Sequence, residues 1–150
     1  MTDPTSRTSR TDSPTRPELC VGAVVVHDGS LLLVRRGHGP AAGEWSVPGG
    51  RVERAETLAE AVVREVAEET GLECVCGELL GWAELLGDMV EEPHFVILDF
   101  VATVLEHGTP AAGDDAAEVA WVPLADVVER RLVDGLAEFL HEHGIIDTIV

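Results

Sequence analysis

The sequence predicts an α/β fold, a mixed β-sheet covered by helices, and three observations carry that expectation. Two β-branched or leucine-rich runs, LCVGAVVVH (19–27) and SLLLVRR (30–36), flank Asp28–Gly29. An amphipathic helical period runs from Thr57 to Thr70. A long apolar run, HFVILDFVATVL (94–105), precedes VAWVPL (119–124) and then a second helical period toward the C-terminus. Strands enclosing one helix, with another at the end, bury their apolar faces when sheet and helices stack in layers.

Each element rests on local chemistry. Asp-Gly between two apolar runs is a strong short-range hairpin signal, so 19–27 and 30–36 are expected to pair. GHGPAAGE (37–44) reads as a Gly/Pro loop, WSVP (45–48) as a short extended piece and Gly49–Gly50 as a turn. Ala59, Val62, Val63 and Val66 fall at i, i+3, i+4 and i+7, one apolar helix face. Thr57 and Glu60 have capping-box spacing, and Gly71 is a natural stop. Stretches around 73–79 and 81–86 read as strands, and EHGTPAAGDDAAE (106–118) as a loop. The last helical pattern spans Ala125 to His143 with a break near Arg130–Arg131, and Leu132, Leu136, Phe139 and Leu140 have core spacing. Trp82 and Phe95 could stack on a base, but the core is the plainer expectation, and the apolar GIIDTIV (144–150) is expected to dock.

Residues 1–17, MTDPTSRTSRTDSPTRP, hold too little apolar surface to offset the entropy of ordering, so a disordered tail (1–17) should precede one domain (18–150). The tail has no apolar h-region, and no run approaches membrane-spanning length. A cytoplasmic protein with no membrane partner is expected. The net charge is −18; the tail has three Arg and two Asp, so residues 18–150 carry −19, with no lysine. Such a surface repels nucleic-acid polymers. An anionic substrate would need a divalent cation to bring positive charge. Cys20, Cys74 and Cys76 are too few for a disulfide framework and lack zinc-site spacing, which fits ordinary thiols in a reducing cytosol.

Glu65, Glu68 and Glu69 crowd into five positions of the first helix, within about a third of its circumference. A solvated face is the plain explanation. Like charges at i,i+3 and i,i+4 repel, however, and Arg64 is the local compensation. Carboxylates at that spacing, with a nearby backbone carbonyl, make a hard-oxygen site for Mg²⁺ or Mn²⁺, and metal binding would relieve the crowding.

Gly50, Glu56, Arg64, Glu65, Glu68, Glu69 and Gly71, with aliphatic Val66 and Leu72, fill every fixed position of the pattern GX5EX7REUXEEXGU. The sequence thereby resembles the Nudix family, and GEWSVPGG, HFVILDF and DDAAEVAWVPL resemble its flanking segments. The resemblance covers about residues 19–124. It implies a Nudix α/β/α sandwich with a loop–helix–loop and a C-terminal helix, and hydrolysis of a nucleoside diphosphate linked to another moiety. Carried onto this chain, Glu65, Glu68 and Glu69 would hold the metal, Mg²⁺ with Mn²⁺ as substitute, assisted by Gly50. Arg64 with Glu56 would orient the helix. Glu68 or Glu69 would be the base, and a late-loop acid, Asp115, would join them. Asp114 and Glu118 are neighbours in that loop.

At the substrate end, Arg35 is a candidate for phosphate or base contact and Trp45 for base stacking; a strand-end arginine and a packed tryptophan are the plainer alternatives. The later segments resemble those of ADP-ribose pyrophosphatase-like members. Many ADP-ribose hydrolases carry a proline where this chain has Asp88, the next proline here being Pro93. ADP-ribose or a related nucleotide sugar is the expected substrate, with a (d)NTP such as 8-oxo-dGTP the alternative. A nucleotide-sensing module without catalysis is a further class, as is mRNA decapping, which the acidic surface opposes. The resemblance also allows a homodimer.

Overall fold

The computed structural model describes residues 16–39, 41–87, 93–106, 108–113 and 116–147. The tail expected over 1–17 lies almost wholly outside the described residues, as do Asp88, Asp114 and Asp115. Eight strands and two α-helices are described, starting with β1 (Glu18–Val24), β2 (Val26–His27) and β3 (Ser30–Arg36). The run 19–27, expected as one hairpin arm, divides between two sheets. Only Val26 and His27 pair with β3, across a turn in which Asp28 (φ 49°) and Gly29 (φ 76°) are both left-handed. The reason lies in burial: Val21 to Val25 are buried without alternation, which suits a strand covered on both faces.

The first sheet has the order β5-β1-β7-β6, formed with β5 (Gly49–Arg51), β6 (Cys74–Leu85) and β7 (Phe95–Val104). β1 runs parallel to β7 and antiparallel to β5, while β6 is antiparallel to β7, so the sheet is mixed. Gly49–Gly50 is therefore strand rather than turn. A Cβ on Gly49 would overlap the Val21 carbonyl, so the glycine serves close backbone approach. The two strands expected at 73–79 and 81–86 are one strand, interrupted by register shifts between Cys76 and Leu79 and between Leu79 and Gly81. In the second sheet β3 pairs with β2, with β4 (Trp45–Ser46) and with β8 (Ala116–Pro123), which begins inside the expected loop.

The first helix, α1 (Leu58–Thr70), has the expected caps. Thr57 Oγ1 accepts from the Glu60 amide at 3.1 Å, Glu60 Oε1 accepts from the Thr57 amide at 2.9 Å, and Gly71 closes the helix at φ 74°. Its buried residues are Ala61, Val62, Val66 and Thr70, whereas Ala59 and Val63 are exposed. The stripe is thus rotated from the expected one, and the rotation brings Glu65 and Glu69 to its margin. A 3-10 helix (Leu124–Glu129) and α2 (Leu136–Glu142) replace a single C-terminal helix, with the break at the expected place.

Two cores result. One lies under α1 and includes Val21, Ala23, Val62, Val66 and Ala102. The other joins both sheets to α2 through Val24, Leu31, Leu33, Val122, Leu140 and Ile146, so the segment after α2 docks as expected. Leu140→Ala should lower unfolding stability by about 2–5 kcal/mol, measurable by urea denaturation, because the side chain is fully enclosed. Trp82 departs from expectation: it is 65% exposed on the edge strand β6, while Phe95 is partly buried with the Arg51 guanidinium 5.7 Å from its ring centre. Among the described residues, no helix is long and apolar enough to cross a membrane.

Candidate active site

Arg64 organises the acidic face of α1. Its Nε donates to Glu56 Oε2 at 2.6 Å and Nη2 donates to Glu56 Oε1 at 3.0 Å, a two-pronged contact that fixes the guanidinium plane. Nη1 reaches Glu65 Oε2 at 3.1 Å and Glu68 Oε2 at 3.2 Å, Nη2 also donates to the Arg51 carbonyl at 3.0 Å, and Glu53 Oε1 lies 3.3 Å from Nε. One arginine thus ties the strand end to four carboxylates. The hydrogen bond from Arg64 holds the Glu56 carboxyl below the usual carboxylate range, and its carboxylates hold Arg64 firmly protonated.

Glu65 and Glu69 touch β5 directly. Glu69 Oε1 accepts from the Gly49 amide at 2.7 Å. A Cβ on Gly50 would overlap Glu65 Oε2, so only glycine leaves that carboxylate its place. Glu65 is largely shielded, and burial raises its proton affinity, with Arg64 opposing. Glu68 is the solvent-exposed member, its side chain 59% accessible. Two of the three carboxylates thus lie against β5, and Arg64 holds the third beside them.

Comparison with known proteins identifies the family. The NUDIX domain family model matches residues 16–143. The chain belongs to the Nudix hydrolase family. An ADP-ribose pyrophosphatase from Methanocaldococcus jannaschii is 38% identical over 108 residues, which is 72% of this chain and 63% of that protein. The matched region therefore spans less than two thirds of that relative. A putative 8-oxo-dGTP diphosphatase 2 from Mycobacterium tuberculosis is 32% identical over 111 residues, covering 73% of this chain and 76% of the relative. The crystal structure of the NUDIX domain of Shewanella oneidensis NrtR complexed with ADP ribose superimposes with a TM-score of 0.71 at 26% identity, covering 95% of this chain and 90% of that one.

The Nudix helix is chemically suited to the divalent metals that hydrolases of this family use. The carboxylates of Glu65, Glu68 and Glu69 could serve as donors, hard oxygens that favour Mg²⁺ or Mn²⁺. Glu65 adds a shielded carboxylate whose charge a cation would stabilise. Among the described residues no three acidic, histidine or cysteine side chains close around one point; Glu65 and Glu68 turn toward Arg64 instead.

The residues expected at the substrate end have these surroundings. Trp45 is 6% exposed in the second core, with the Arg130 guanidinium 4.6 Å from its ring centre, its amide donating to the Arg131 carbonyl and its own carbonyl accepting from Val133. The ring packs in that core with a guanidinium over it, the plainer of its two sequence readings. Arg35 pairs across the ladder with Glu118 at 3.3 Å, and no described hydrogen bond or ion pair links it to α1. Asp115 lies outside the described residues; Gly113, before it, donates to the Glu69 carbonyl at 3.1 Å, and Ala111 to Thr70 at 2.9 Å. Two groups went unanticipated: the Gly49 amide and Asp99, an acid in an otherwise apolar strand that is 6% exposed. The lone aspartate within HFVILDF was the available signal. Cys20 and Cys74 are buried free thiols pushed up to about 11 by desolvation, so neither is a nucleophile at neutral pH.

Proposed function

We propose that the protein is a Mg²⁺-dependent pyrophosphohydrolase acting on a nucleoside diphosphate linked to a second moiety, with ADP-ribose or a related nucleotide sugar as the favoured substrate. The observation that carries this reading is the convergence of Glu65 and Glu69 on Gly49 and Gly50, with Arg64 bracing Glu65. The Methanocaldococcus relative and the ADP-ribose-bound NUDIX domain support the choice of substrate. The Mycobacterium relative supports the second reading, a (d)NTP pyrophosphohydrolase acting on substrates such as 8-oxo-dGTP.

Glu65, Glu68 and Glu69 would hold the metal with Gly50 beside them, and the bound ion would supply charge neutralisation of the diphosphate and a more acidic attacking water. Glu68 or Glu69 would take the proton of the water that attacks phosphorus, as the bond to the leaving phosphate oxygen breaks in line. Arg64 keeps Glu65 and Glu68 in place throughout, a positioning role that leaves it off the phosphate. We place Asp115 near these acids as a further proton acceptor on sequence grounds, and Arg35 as a phosphate contact released from Glu118. The reading includes a cytoplasmic setting and a small nucleotide partner.

Chromatographic product analysis tests it. With Mg²⁺, ADP-ribose should give AMP and ribose 5-phosphate; EDTA should stop turnover and Mn²⁺ should restore it. A nucleoside monophosphate plus pyrophosphate from 8-oxo-dGTP, without cleavage of ADP-ribose, would move the protein to the second reading. Turnover that persists in EDTA would overturn the metal.

A further inference from the structure

Two buried residues among those described are polar, Thr70 and Asp99, and they are served differently. The Thr70 hydroxyl donates to the Val66 carbonyl at 2.6 Å and accepts from the Leu72 amide at 3.2 Å. The Asp99 carboxylate accepts no hydrogen bond from any described residue. Burial pushes it up to about 6, with His143 the one group pulling the other way. A mostly buried carboxylate with no described donor is a position that folds seldom keep without a use.

The surroundings of Asp99 are shaped for it. Its register partners are Gly22 on β1 and Gly81 on β6. A Cβ on Gly22 would overlap Asp99 Oδ1, while one on Gly81 would come within 2.7 Å of His143 Cε1 and Nε2. Glycines on both sides thus make room for a carboxylate and an imidazole on one face. Gly22 is also in register with Gly49, whose amide binds Glu69. Gly49, Gly22, Asp99 and Gly81 form one transverse row across β5, β1, β7 and β6. Two strand spacings separate Gly49 from Asp99, about 10 Å, a span that a nucleoside bridges between its phosphate and its far edge.

We propose that Asp99 accepts two adjacent hydrogen-bond donors of the nucleotide whose diphosphate lies at Glu65 and Glu69, and so sets which nucleotide is taken. This rests on the hydrolase reading above. An ionised carboxylate is acceptor-only and matches paired donors. Two parts of a nucleotide present such a pair: the N1–H and N2 amine of guanine, and the cis-diol of ribose. Adenine, cytosine and uracil edges mix donor with acceptor and do not match.

Calorimetric titration with GMP, IMP, AMP and dAMP in Mg²⁺ separates these sources, since monophosphates carry base and ribose but no cleavable anhydride. The parent protein should bind GMP about tenfold tighter than IMP if the guanine edge is read, or AMP about tenfold tighter than dAMP if the diol is read. Asp99→Asn should erase that difference. Gly22→Ala, which displaces the carboxylate while keeping its charge, should do the same, and melting curves check that both variants fold. A parent that binds but shows neither preference, or preferences untouched by both variants, would overturn the role of Asp99 alone. A parent that cleaves nucleotides yet binds none of the four would also overturn it. A parent that neither binds nor cleaves would remove the hydrolase reading with it.

Discussion

Glu69→Gln is expected to lower kcat about 10²–10³-fold while leaving the melting temperature close to that of the parent. Glutamine keeps an oxygen where Glu69 Oε1 accepts from the Gly49 amide, so the tether between α1 and β5 survives the change. What disappears is the charge, on which its proposed roles as metal donor and base depend. Glu65→Gln should fall as far, because its shielded carboxylate loses a negative charge where few solvent molecules can replace it. Steady-state kinetics with matched melting curves check the pair. Full activity in either variant would contradict the placement of the metal.

Gly50→Ala should do comparable damage without altering any charge. The new methyl would overlap Glu65 Oε2, the mobile end of a side chain, so the fold yields by moving that carboxylate rather than the strand. A misplacement of roughly 1 Å near the reacting atoms costs about 10²-fold in rate. The expected pattern is a folded protein with near-normal stability and kcat reduced by about that factor, read from circular dichroism and initial rates. Unchanged kcat would show that the position of Glu65 against β5 has no bearing on the reaction.

How far these features were legible depended on whether they were local. The capping box at Thr57, the left-handed Gly71 and the Asp28–Gly29 turn each follow from a few neighbouring residues, and each is present. The acids of the Nudix helix were legible for the same reason, since helix spacing alone gathers them. The division of 19–27 between two sheets was not, because it depends on β7, some seventy positions on, lying parallel to β1. Gly49–Gly50 was read as a turn because close backbone approach and reversal both select glycine. Trp45 shows a related limit: its ring chemistry suits a base or a core equally, and its burial under Arg130 depends on residues some eighty-five positions on. Asp99 was visible as a lone acid in an apolar strand, but its meaning required knowing that glycines flank it on both sides.

The central claim is that the glutamates of α1 hold a divalent cation against β5, and Mn²⁺ titration followed by electron paramagnetic resonance tests it most directly. The parent should quench the free Mn²⁺ signal with saturable binding, competed by Mg²⁺, and Glu65→Gln and Glu69→Gln should each weaken that binding at least about tenfold. Saturable binding that neither substitution disturbs, or no binding by the parent, would contradict the account.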